Sequence, residues 1–93
     1  MPQKEKVTRI IDGDTFRTAD RAEAVRLANV DAPERGEPGH AGATFALRRL
    51  IGDKVVSVRA VARDSYGRTV AEVKIGERSV NEFMREMVKQ MGW

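Results

Sequence analysis

Along this 93-residue chain, short runs of alternating apolar and polar positions are separated by turn signals. Lys6 to Asp12 is rich in β-branched residues and predicts a strand over 6–12. Asp12-Gly13-Asp14 reads as a turn in which glycine supplies a positive φ. A second strand is expected over 15–20. A third is expected over 24–30, with Val25, Leu27 and Val30 as its apolar positions and Arg26 set among them. Residues 1–5 are polar and are expected to be a flexible lead-in. Residues 31–42, with two prolines and three glycines, read as a loop. A helix is predicted over 41–51, because Ala43, Leu47, Leu50 and Ile51 share one helical face and Gly52 is placed to end it. A strand over 54–62 should bury Val56, Val58, Ala60 and Ala62. After a turn at 63–68, a strand over 69–75 should bury Ala71, Val73 and Ile75, and Gly76 breaks it.

The last helix carries the strongest local signal. Ser79-Val80-Asn81-Glu82 has the S-x-x-E form of a capping box. Val80, Phe83, Met84, Met87, Val88 and Met91 follow at helical spacing, and Gly92 is a natural stop. A methionine stripe can serve as an adaptable binding surface, but a small barrel needs a helix to close its end, which favours core packing here. Trp93 reads as a residue that packs on the barrel or as the point where a longer chain was cut. The order β-β-β-α-β-β-α predicts one α+β domain over 1–93, a five-stranded Greek-key barrel of OB type with two helices.

Composition narrows the chemistry. Hydrophobic residues make up 41% and charged residues 33%, as in folded soluble domains. No run approaches a membrane span, and the polar start has no signal-peptide h-region, so the expected location is the cytoplasm, or outside the cell after removal of a signal. Seventeen basic residues against fourteen acidic ones give a net charge of +3, which suits an anionic partner. The absence of cysteine excludes disulfides and thiolate metal sites, and a lone histidine, His40, excludes a multi-histidine zinc site. A metal would have to be held by oxygen, which points to calcium or magnesium.

Several polar residues sit where chemistry could use them. Asp14 enters the second strand and Asp31 leaves the third, so both carboxylates could converge on one cation, or could simply be turn residues. Glu34 follows shortly after Asp31 and could orient or deprotonate a water, or be a solvated loop acid. Arg26 and Arg68 offer planar, bidentate donors suited to a phosphodiester gaining charge, though arginine is common on exposed sheet faces. Tyr66 could contact a phosphate or stack on a base, or pack in its turn. No role falls to His40. Together these residues form a parts list for phosphodiester hydrolysis.

Three blocks, VTRIIDGDTF (7–16), VRLANVDAPE (25–34) and ARDSYGRTVA (62–71), resemble the staphylococcal nuclease family. GHAGATFALRRLIGDKVVSV and VNEFMREMVKQMG add weaker likeness in the same order. The resemblance implies a calcium-dependent nuclease that hydrolyses DNA and RNA with little sequence specificity and leaves 3′-phosphorylated products. It implies calcium held by Asp14, Asp31 and the backbone carbonyl of Ala32, with Asp12 in the outer shell. It implies Glu34 as general base, Arg26 and Arg68 on the scissile phosphate, and Tyr66 on the substrate's terminal phosphate.

The chain departs from the family pattern in four places. Ala32 stands where threonine is frequent, Ser65 replaces a lysine, and the loop after Glu34 is short and weakly basic. The sequence ends at Gly92-Trp93, ahead of the position where the family's C-terminal segment, with its substrate-contacting tyrosines, is expected. The expected partner is nucleic acid, single strands favoured, with no membrane and the chain a monomer or weak homodimer. The rival readings are an OB module that binds nucleic acid without cutting it, a truncated nuclease core, and an OB protein-interaction domain.

Overall fold

The computed structural model describes residues 2–91, so Met1, Gly92 and Trp93, with the expected stop and packing at the C-terminus, lie outside the described residues. The strands are β1 (Gln3–Asp12), β2 (Thr15–Thr18), β3 (Val25–Leu27), β4 (Val55–Arg63), β5 (Thr69–Ile75) and β6 (Arg78–Ser79). The helices are α1 (His40–Ile51), between β3 and β4, and α2 (Val80–Gln90), after β6. Neighbouring strands run in the order β3-β2-β1-β4-β5-β6, and a further pairing of β3 with β5 closes the first five into a barrel. That closing pair is parallel, Val25 facing Thr69 and Leu27 facing Ala71, while all the others are antiparallel. This is the expected OB-type barrel with two helices. The two-residue β6, which turns off β5 through Gly76 at φ 58°, is an addition.

The long strand β1 serves two neighbours. Gln3 to Lys6 pair with β4, and Val7 to Asp12 pair with β2, with register shifts at Val7/Arg9 and Ile10/Asp12 that let the strand bend around the barrel. The expected flexible lead-in at 1–5 is corrected here, because residues from Gln3 onward are strand and Glu5 is buried. Glu5 accepts from Thr18 Oγ1 (2.8 Å) and Arg21 Nε (3.0 Å), so its charge is paired where it is desolvated. A second correction falls on β4. Val56 and Val58 are buried, but Ala60 and Ala62 are exposed, because β1 begins at Gln3 opposite Val58 and β4 continues past it with β5 alone beyond the barrel.

The core gathers Val7, Phe16, Leu27, Leu47, Val73 and Met84, among others, from strands and helices alike. On α1 the buried residues include Ala43, Leu47 and Ile51, with Leu50 partly buried against the core. Gly52 ends that helix by close approach: its N–H donates to the Arg48 carbonyl, and a Cβ there would lie 2.5 Å from that oxygen. On α2 the Ser79 hydroxyl accepts from the Glu82 N–H (3.1 Å), as the capping box requires. Val80 and Met84 are fully buried and Met87 is partly so, which makes the methionine stripe core rather than free surface.

Asn81 is the polar residue that sequence reasoning passed over. It is fully buried, accepts from the Val73 N–H (2.8 Å), and donates to the carbonyls of Ala28 (3.1 Å) and Ala71 (3.0 Å). One amide thus ties α2 to β5 and to the chain leaving β3. Asn81→Ala takes this partner from the Val73 N–H and the Ala28 carbonyl, while the Ala71 carbonyl keeps the Ala28 N–H (2.9 Å), and is expected to cost about 2–4 kcal/mol. Urea unfolding monitored by circular dichroism checks this, and a midpoint unchanged from the parent would refute it.

Candidate functional site

The turn between β1 and β2 presents Asp12 and Asp14. The Asp14 N–H donates to Asp12 Oδ1 (3.1 Å), which fixes the turn. Gly13 does not have the positive φ expected of it. Its role is close packing, since a Cβ would lie 2.6 Å from Ala43 Cβ and 2.8 Å from Ala32 Cβ. The turn is therefore pressed against both α1 and the loop after β3.

Asp14 points inward and is only 6% exposed. Its Oδ1 accepts from Thr15 Oγ1 (2.9 Å) and its Oδ2 from the Ala32 N–H (3.0 Å). Its carbonyl accepts from the Leu27 N–H (2.8 Å), so β3 is fastened to the same residue. Arg26, on β3, brings Nη2 to 3.4 Å from Asp14 Oδ2 and 3.0 Å from Asp31 Oδ1. Its Nη1 donates to the Leu27 carbonyl (3.0 Å). The two carboxylates do converge, and the point they share is next to a guanidinium. Asp31 itself is fully exposed.

Arg68 enters from the turn before β5. Its Nε donates to Asp64 Oδ2 (2.6 Å), and Asp64 Oδ1 accepts from the N–H groups of Tyr66 (2.9 Å) and Arg68 (3.0 Å). Partial burial works against the charged form of Asp64, but these donors prevail and hold its carboxyl below the usual range. Asp64 was given no role from sequence, although it stands in the block ARDSYGRTVA. It shapes the turn that aims Arg68. Tyr66 is 83% exposed, with the Arg68 guanidinium carbon 5.2 Å from its ring centre.

Glu34 is exposed, and its N–H donates to Glu37 Oε1 (2.6 Å). His40 also has a place: its Nδ1 meets the Pro33 carbonyl at 3.1 Å, tying the loop back to the start of α1. All eight residues singled out from sequence as site residues line one open cavity of about 540 Å3, together with Pro33, Glu37 and Pro38.

The site has only oxygen donors to offer a cation, which matches calcium or magnesium and not a soft metal. Among the described residues, no three His, Cys, Asp or Glu side chains are grouped to hold a metal by themselves. A cation here would draw on Asp14 and Asp31, with backbone carbonyl and water completing its shell. Burial is the main cause that raises the Asp14 carboxyl from 3.8 to about 6, and contact with Asp12 adds to it. The folded carboxyl therefore takes up its proton at higher pH than the unfolded one. Without a cation, stability is gained as pH falls through about 6 toward 4. As pH rises through that window, stability on the order of 2 kcal/mol is lost. Asp14→Asn keeps the shape without the charge. In chelator it is expected to melt above the parent at neutral pH, with the gap closing by about pH 4. Thermal melts of both proteins across that range are the check, and a gap independent of pH would overturn the assignment.

Comparison with known proteins places this chain among relatives. The family model described as staphylococcal nuclease homologue matches residues 24–91. The chain is similar to an uncharacterized endonuclease of Escherichia coli, 38% identical over 82 residues, which are 85% of this chain and 54% of that protein. It is similar to a thermonuclease of Staphylococcus hyicus, 34% identical over 90 residues, 86% of this chain and 53% of that protein. A micrococcal nuclease of Shigella flexneri is 39% identical over 70 residues, 73% of this chain and 40% of that protein. The chain spans about half the length of the curated relatives it matches.

Proposed function

The chain belongs to the staphylococcal nuclease family, and from that membership and the cavity together we propose that it is a calcium-dependent nuclease. Its substrates are DNA and RNA, with little sequence preference and single strands favoured, and its products carry a 3′-phosphate. The observation that carries this reading is the gathering of Asp14, Asp31, Glu34, Arg26 and Arg68 around one open cavity. Named relatives that are nucleases support it.

The donor set fits calcium at Asp14, Asp31 and the Ala32 carbonyl, with Asp12 behind them. Bound there, calcium supplies positive charge beside the phosphate. The chain's own residues do the rest. Arg26 and Arg68 bind the scissile phosphate through charge-assisted hydrogen bonds that strengthen as its oxygens gain charge. Glu34 accepts a proton from the water that attacks phosphorus. The new P–O bond forms as the bond to the 5′-oxygen breaks, and that oxygen leaves with the bonding pair and takes a proton from solvent, as Glu34 later returns its own to solvent. Tyr66, exposed at the rim, contacts the substrate's terminal phosphate.

Cleavage of a labelled single-stranded DNA oligonucleotide tests the proposal, with calcium, then with chelator, and with Glu34→Gln as control. The expected result is cutting that needs both calcium and Glu34. A folded protein that binds the oligonucleotide without cutting it would instead be a nucleic-acid-binding OB module, and one that binds none would point to a protein-interaction domain.

A further inference from the structure

A second groove, of about 600 Å3, is continuous with the first cavity: Asp12, Glu34, Tyr66 and Arg68 line both. Its other walls include Thr15 and Arg17 of β2 and Glu23 of the connection to β3. Nothing in the reaction proposed above uses Arg17. This residue is exposed, and its Cα partner across the β1–β2 ladder is Arg9, also exposed. Residues directly opposite in an antiparallel pair project from the same face, and like charges there repel. Neither arginine makes an ion pair among the described residues. The Arg17 guanidinium is nonetheless held in place, because Nη1 donates to the Ala22 carbonyl (2.9 Å).

Glu23 does not neutralise this pair. It accepts from Thr69 Oγ1 (2.8 Å) and faces Arg21 (3.6 Å) and Arg63 (3.7 Å). The uncommitted charge that the groove adds is therefore positive, fixed and unpartnered. An anion bound at Arg17 would relieve the repulsion with Arg9 and would lie on a path that leads directly to Arg68.

We propose that this groove is a second nucleotide subsite, in which Arg17, supported by Arg9, binds the backbone phosphate next to the scissile one in a single-stranded polynucleotide. Tyr66, which lines both cavities with its ring under the Arg68 guanidinium, is the partition between the two phosphate positions. The assignment rests on the nuclease reading of the first cavity. It makes the grip on substrate depend on strand length: a mononucleotide fills the first cavity alone, and a longer strand engages both.

Binding to the Glu34→Gln protein in calcium tests this without cleavage, using a 5′-phosphorylated mononucleotide and a single-stranded DNA of about eight nucleotides. Adding Arg17→Gln is expected to weaken the oligonucleotide about 5- to 10-fold and to leave the mononucleotide unchanged. It should also lower the salt slope of oligonucleotide binding by about 0.7, one phosphate's share on a single strand. Arg17→Lys should keep most of that slope, and Arg9→Gln should shift oligonucleotide affinity the same way by less. Loss of affinity for both probes alike, or for neither, would overturn the second subsite and leave the first cavity's assignment standing. A parent protein that binds neither probe would remove both.

Discussion

Arg68→Ala is expected to lower kcat by about 10³-fold, roughly 4 kcal/mol of transition-state stabilisation, with little change in KM. The reasoning starts from Asp64. Its carboxylate holds Arg68 by Nε and fixes the turn backbone, and among the described residues neither terminal nitrogen of the guanidinium, at the cavity, has a hydrogen-bond partner. A donor already aimed needs no reorganisation when phosphate oxygens gain charge, so its loss falls on the chemical step. Single-turnover cleavage under saturating substrate is the measurement. If only KM rises, Arg68 binds substrate equally in ground and transition states and has no special part in the reaction.

Glu34→Gln is expected to lower kcat by at least about 10²-fold while leaving the melting temperature unchanged. Glu34 is exposed, and its hydrogen bonds among the described residues are backbone ones to Glu37: its N–H donates to Oε1 and its carbonyl accepts from the Glu37 N–H. Nothing in the fold depends on its charge, and a glutamine has the same shape but no useful basicity. Steady-state kinetics beside a thermal melt separate the two readings. Intact turnover in the variant would remove Glu34 from the general-base role, and a drop in melting temperature would show that the loop needs the carboxylate for structure.

Local chemistry made much of this molecule readable in advance. Ser79 caps its helix, Gly52 ends the other, and the Asp12-Gly13-Asp14 turn sits between two strands as its residue types require. What failed depended on partners distant in sequence. Gln3 to Glu5 look like a polar tail, and only pairing with β4 and the Arg21 guanidinium make them a strand with a buried acid. Ala60 and Ala62 keep the alternating pattern after the barrel has ended. Asn81 reads as an ordinary polar residue in a helix's first turn, because its three partners lie on two other segments. In the site, spacing could nominate Asp14, Asp31 and Arg26 separately. That one guanidinium nitrogen faces both carboxylates follows from β3 lying beside the Asp14 turn. Gly13 was rightly marked as special for the wrong reason: crowding by Ala32 and Ala43, not backbone handedness, demands it.

The parallel seam between β3 and β5 puts a time order on this molecule. Arg26 stands opposite Val70 in that seam, so Arg26 and Arg68 are neighbours only after β3 and β5, which α1 and β4 separate along the chain, have met. Adjacent hairpins form within microseconds, whereas joining strands so far apart in sequence must first overcome the entropy of a long loop. A refolding chain would therefore pass through stages that already hold hairpins and helix but have no place for a phosphate. Recovery of catalytic power would then serve as a stopwatch for the final step of assembly, and a chain severed between the two arginines would be inert until its pieces recombined.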